Sequence, residues 1–97
     1  METEDLISIT RFCEYHQVEF SFVNALSEFG LVSFVNVEEI NYIPLEEVRN
    51  IEKMIRLHYE LDINIEGIEA ISHLLNRVNT LQAELNQLRN RLEFYER

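Results

Sequence analysis

The sequence holds one cysteine, one proline, two glycines and no tryptophan in 97 residues. A lone thiol, Cys13, cannot form an internal disulfide, so the covalent staple of small secreted domains is excluded. The same observation reads as a reduced, cytoplasmic protein. So little proline and glycine leaves no low-complexity segment or flexible linker. No apolar run approaches the roughly 20 residues that span a bilayer. Met1 to Asp5, with three acids and no base, lacks the character of a secretory leader. The most informative absence is of positive charge. Between Phe12 and Val48 there is no Lys or Arg, while Glu14, Glu19, Glu28, Glu38, Glu39, Glu46 and Glu47 occupy the interval. Such a segment cannot replace the counterions of a nucleic-acid backbone, and it is repelled by anionic membrane.

The formal net charge is −10, and its distribution is uneven. Residues 1–70 carry four bases and fifteen acids, net −11; residues 71–97 carry four bases and three acids, net +1. The negative field therefore sits on the front of the molecule and favours basic protein surfaces. It also serves solubility, which is the plainer reading of the same charges. A chain this short buries only about 60% of the surface its unfolded form exposes, so without a disulfide it calls for a partner chain.

Local patterns predict a mainly α protein. Leu6–Ile9 alternates weakly, as a short strand does. Thr10 is placed to cap a helix from Arg11 to about Gln17, with Phe12 and Cys13 facing inward. A second helix spans about Glu19 to Phe29, with Val23, Leu26, Phe29 and Phe22 as its buried stripe; Gly30 ends it. Leu31–Val35 and Ile40–Ile43 read as the strands of a hairpin turning at Asn36–Glu39. Pro44 opens the first turn of a third helix, with Glu46 and Glu47 at its positive end, and this helix runs to about Leu61. Val48, Ile51, Ile55 and Tyr59 form one apolar face of it, and Met54, Leu57 and Leu61 a second. Asn64 is the predicted cap of a fourth helix. Gly67, inside that helix, calls for a close approach to the third helix, or for a binding role at that turn, to offset a cost of about 1 kcal/mol.

The fourth helix carries the most regular pattern. Ile71, Leu74, Val78, Leu81, Leu85, Leu88, Leu92 and Tyr95 are spaced alternately three and four apart, an unbroken a/d seam. A helix of this length, roughly 50 Å at 1.5 Å per residue, outruns a small head. Its simplest partner is its copy in a homodimer. A parallel pair would place Glu84 against Arg89 and Arg91 against Glu96; an antiparallel pair stays open. The chain thus divides into a head, residues 1–63, and a coiled-coil dimerisation helix, residues 64–97.

The order of two helices, hairpin, helix and coiled-coil helix resembles a MerR-like winged helix-turn-helix with its dimer helix. Asn41-Tyr42-Ile43-Pro44-Leu45-Glu46-Glu47-Val48 is similar to the start of the helix that follows the wing in that superfamily. Within it, Ile9-Thr10-Arg11-Phe12-Cys13 and the run from Ile55-Arg56-Leu57-His58-Tyr59-Glu60-Leu61 to Ile68 resemble the chaperone-modulator family of the CbpM type. The resemblance implies a bacterial cytoplasmic protein that binds the J-domain of a DnaJ-like, DNA-binding co-chaperone. It further implies suppression of that partner's work with its heat-shock chaperone and of its DNA binding.

The candidate partner-binding residues are Glu38 and Glu39 at the wing tip, Glu46 and Glu47 after it, and Glu60 and Asp62 at the turn before the last helix. Phe20 or Phe22 is a candidate exposed anchor. His16, His58 and His73 lack the spacing of a metal set and Cys13 lacks a second cysteine, so no metal or cofactor is expected. His58 is predicted to pack between the third and fourth helices. No phosphate loop, nucleophile elbow or zinc-protease helix is present, and carboxylates without a pocket do not make an enzyme. A MerR-like transcriptional regulator, or its dimerising partner, remains the alternative function, and a purely structural oligomerisation module a third.

Overall fold

The computed structural model describes residues 5–96, so the acids at positions 2 and 4 and the base at position 97 lie outside the described residues. Strand β1 (Leu6–Ser8) leads directly into α1 (Ile9–His16), followed by α2 (Phe20–Glu28), β2 (Val35–Val37), β3 (Ile40–Pro44), α3 (Val48–Tyr59) and α4 (Ile65–Glu96). The strands form one antiparallel sheet in the order β1-β3-β2. Ile7 lies opposite Ile43, and Val35 opposite Tyr42, so β3 is held on both sides. This is a helix-turn-helix with a small wing and a long terminal helix.

Local chemistry accounts for each helix end, in places differently from the sequence expectation. The cap of α1 is Ser8, not Thr10: its hydroxyl accepts from the Arg11 N–H at 3.4 Å. Pairing of β1 with β3 fixes Ser8 in extended backbone, φ −61° and ψ 131°, and the helix starts two residues early. Helix α2 ends in a Schellman motif, in which the Leu31 N–H donates to the Leu26 carbonyl at 2.9 Å and Gly30 takes φ 75°. Phe29 is 39% exposed and leaves the buried stripe predicted for it, because it sits at the cap, past the last helical turn.

The segment 31–34 is irregular and not a strand, and only Val35 of the predicted first strand joins β2. Pro44 closes β3 with ψ 145°, outside the helical region, and a 3₁₀ turn at Leu45–Glu47 intervenes before α3. Helix α3 stops at Tyr59; Leu61 lies beyond its end and is 64% exposed, so it cannot contribute to the apolar face predicted there. Asn64 caps α4 as predicted, its side-chain oxygen accepting from the Gly67 N–H at 2.8 Å.

The core draws on four elements of the head: Ile9, Phe12 and Cys13 from α1, Phe22, Val23 and Leu26 from α2, Ile43 from β3, and Ile51 and Met54 from α3. Ile68, from the first turn of α4, is fully buried in the same core. The molecule measures 56 × 36 × 21 Å, and its long dimension reflects the 32 residues of α4.

Two expected outcomes arise from this packing. Burial raises the Cys13 thiol pKa above its ordinary value, because desolvation disfavours the thiolate. Cys13 should therefore react with a disulfide reagent much more slowly in the native protein than in denaturant near neutral pH; equal rates would contradict its burial. At Gly67 a Cβ would stand 2.7 Å from Ile63 Cγ2 and 3.1 Å from Asn64 Oδ1. The crowding thus comes from the turn that begins α4, not from α3. Gly67→Ala should forgo the usual helix gain of about 1 kcal/mol and lose a comparable amount by disturbing the cap. Chemical denaturation showing a clear stabilisation would contradict this.

Candidate partner-binding surface

In a winged helix-turn-helix the exposed side of the second helix and the wing meet the ligand. Here that side is formed by α2 and the β2–β3 hairpin, and neither contributes a Lys or Arg. The start of α2 also carries a carboxylate. Glu19 is its N-cap residue, the Ser21 hydroxyl donates to Glu19 Oε2 at 3.4 Å, and the Glu19 N–H is taken by the Tyr59 hydroxyl at 3.2 Å. Glu19 caps no N–H of the helix, but its negative charge stands at the end that would otherwise attract phosphate.

The six predicted partner-binding carboxylates fall at three places. Glu38 and Glu39 form the whole two-residue loop between Val37 and Ile40, which pair with each other. Both take the left-handed region, φ 51° and 67°, as a type I′ turn requires. That turn favours Asn-Gly, so two glutamates there are held at a local conformational cost. The loop is tied by the Glu39 N–H donating to Asn36 Oδ1 at 3.2 Å, and by Asn36 Nδ2 donating to Asn41 Oδ1 at 3.0 Å. Both carboxylates project from an exposed tip beside the exposed Ile40.

Glu46 is exposed at the opposite end of β3, roughly 15 Å away at 3.3 Å per residue. Glu47 is committed within the fold: its Oε2 accepts from the Ser33 N–H at 2.7 Å, bracing the irregular segment. Glu60 and Asp62 are exposed at the far end of α3, about 18 Å from Glu47 at 1.5 Å per helical residue. Asp62 takes φ 57° where the chain reverses into α4.

Of the two candidate anchors, Phe22 is core, 7% exposed and stacked on His58 with ring centroids 4.3 Å apart. Phe20 is 53% exposed. His58 lies against α2, in contrast to the predicted position between α3 and α4, and its Nδ1 is 2.9 Å from the Ile63 carbonyl. The structure also assembles features that sequence reasoning missed. Ile7, Phe12, Tyr15, Val48 and Glu52 line a groove of about 640 Å³ between α1 and α3, with His16 held 3.5 Å from Glu52. No periodicity announces it, because its walls are far apart in the chain. The exposed Ile40 was legible only through the two-residue register of the hairpin.

Along α4, Ile71 is half-buried and the other seven seam residues are 49–81% exposed. Leu75, also exposed, widens the apolar stripe. Among the described residues no group of three His, Cys, Asp or Glu side chains could hold a metal ion, and no helix is long and apolar enough to cross a membrane.

Residues 7–90 match the family described as MerR HTH family regulatory protein. The chain belongs to that family. No curated protein and no solved structure matches it. The match spans the sheet, the helix-turn-helix and most of α4, and it assigns no ligand.

Proposed function

We propose that this MerR-family protein is a chaperone modulator that binds the J-domain of a DnaJ-like, DNA-binding co-chaperone and inhibits its co-chaperone and DNA-binding activities. The observation that carries the reading is the wing: two carboxylates held in left-handed backbone at the apex of a helix-turn-helix whose binding side has no cation. Strain of this kind persists where it serves a site. The resemblance of the segment 55–68 to the CbpM-type modulators supplies the partner class, and an acidic surface suits the basic helix of a J-domain. The acidic head, residues 1–63, then acts as the adaptor, and the helix from residue 64 onward joins two copies through the seam from Ile71 to Tyr95. No metal, cofactor or catalytic group takes part.

Isothermal titration of the full chain into a J-domain tests this. Saturable binding that weakens with salt is the expected result, with Glu38→Lys, Glu39→Lys and Glu46→Lys together weakening it by about tenfold or more. Equal affinity of parent and variant would discard those residues as the site. Absence of binding would discard the co-chaperone.

The family match favours one second reading, a MerR-like transcriptional regulator or the dimerising partner of one. It requires the cations of a basic subunit, because this head contributes none on α2 or the wing.

A further inference from the structure

We propose that Phe20 and Tyr59, continued by Leu61 and flanked by Glu19, Glu60 and Asp62, form the docking point for a basic amphipathic helix of a partner protein. The inference rests on the reading of the head as a protein-binding adaptor, and it names the site and the chemistry of the occupant.

The patch is built rather than incidental. The Glu19 N–H donates to the Tyr59 hydroxyl at 3.2 Å, joining the start of α2 to the end of α3 across forty residues of sequence. The Tyr59 ring is held edge-on against Phe22 and His58, with centroids 5.6 and 4.8 Å away. It is nonetheless 45% exposed, and Phe20, next in the chain to Glu19, leaves the core entirely. Leu61 extends the apolar surface past the end of α3. A fixed aromatic with further apolar side chains and a polar rim has the composition of an interface anchor.

Charge decides the occupant. Glu19, Glu60 and Asp62 are all exposed, and from Leu57 to Asn76 the chain has no Lys or Arg. A helix with an apolar stripe flanked by Lys and Arg would set its stripe on Phe20, Tyr59 and Leu61 and its cations toward these carboxylates. Nucleic acid and anionic lipid are repelled by the same groups. A second copy's head carries the same negative field, so it too is disfavoured.

The test uses the full ¹⁵N-labelled chain and two synthetic peptides of equal charge: an amphipathic Leu/Lys/Arg helix, and a scrambled version without an apolar face. Saturable amide shifts at residues 19–21 and 58–62 with the helix are expected. The affinity should fall about tenfold or more for the scramble and for Phe20→Ser with Leu61→Ser. Both substituted side chains are exposed, and the parent's shift map decides the question even if the double variant misfolds. Shifts confined to the wing or to α4, equal binding of the scramble, or a changed oligomeric mass in the double variant would overturn the proposal. A J-domain titrated in parallel separates the two claims. Peptide binding at the patch without J-domain binding supports the patch and removes the co-chaperone. J-domain binding untouched by the double substitution overturns the patch and leaves the co-chaperone in place.

Discussion

The parent chain is expected to sediment as a dimer, and a chain carrying Leu81→Asp and Leu88→Asp as a monomer at the same concentration. Both leucines lie on the seam of α4 and are more than half exposed in the single chain, 57% and 60%. Completing the burial of a half-covered leucine stabilises by roughly 0.75–1.5 kcal/mol, half the value for full burial. Two leucines in each of two chains give about 3–6 kcal/mol, which corresponds to roughly 10²- to 10⁴-fold in the dissociation constant. The introduced carboxylates add desolvation and like-charge repulsion to that loss. Thermal stability should fall with dimerisation, because α4 also supplies Ile68 to the head's core. Thr80→Asp with Gln87→Asp, on the outer face of the same helix, is the control and should leave the mass unchanged. Sedimentation equilibrium checks both. A retained dimer in the seam variant would remove the seam as the interface.

The second expected effect runs in the opposite direction. Replacing Glu38-Glu39 by Asn-Gly should stabilise the protein while weakening its partner. The two glutamates occupy left-handed backbone, which penalises an ordinary L-residue by roughly 1–2 kcal/mol and suits Asn-Gly. Part of the relief is lost to the greater freedom of glycine in the unfolded chain, so a net gain of about 1 kcal/mol is expected. For a domain of this size that raises Tm by roughly 4–8 °C. Removing both wing carboxylates should at the same time lower the on-rate for a cationic partner and flatten its salt dependence. A thermal melt and a kinetic binding measurement on one sample test the pair of outcomes. A destabilised variant would mean that the turn is not strained. A stabilised variant with unchanged binding would mean that the strain serves something other than the partner.

Much of the fold was legible because its signals are local. The long helix α4, Phe12 and Cys13 facing inward, Gly30 after α2 and Asn64 as a cap are each set by neighbours within about a turn, and the structure has them where spacing placed them. The errors fall where distant segments meet. Ser8 displaces Thr10 as the cap because β1 pairs with β3, thirty-four residues later at Ser8 and Tyr42, and nothing near Thr10 encodes that pairing. The fixed φ of Pro44 suits both the first turn of a helix and the end of a strand; the ladder with β1 decides for the strand. Asn is an ordinary turn residue and Glu is not, so the sequence points the wing loop toward Asn36 and carries no sign of two left-handed glutamates.

The site was partly legible for the same reason. The absence of cations is a property of composition, and it carries straight into the exposed face of α2 and the wing. The separation of the six carboxylates was not legible. Neither was the commitment of Glu47 to the Ser33 N–H, nor the meeting of Tyr59 with Glu19, since each depends on tertiary placement.

The central claim is that the head of this MerR-family protein selects a cationic polypeptide and rejects the nucleic-acid duplex. It is tested most directly by sedimentation velocity of the full chain mixed with both a J-domain and duplex DNA at physiological ionic strength, each species followed at its own wavelength. The account predicts that the chain travels with the J-domain while the DNA sediments free. The chain moving with the DNA, in the absence of any basic subunit, would contradict it.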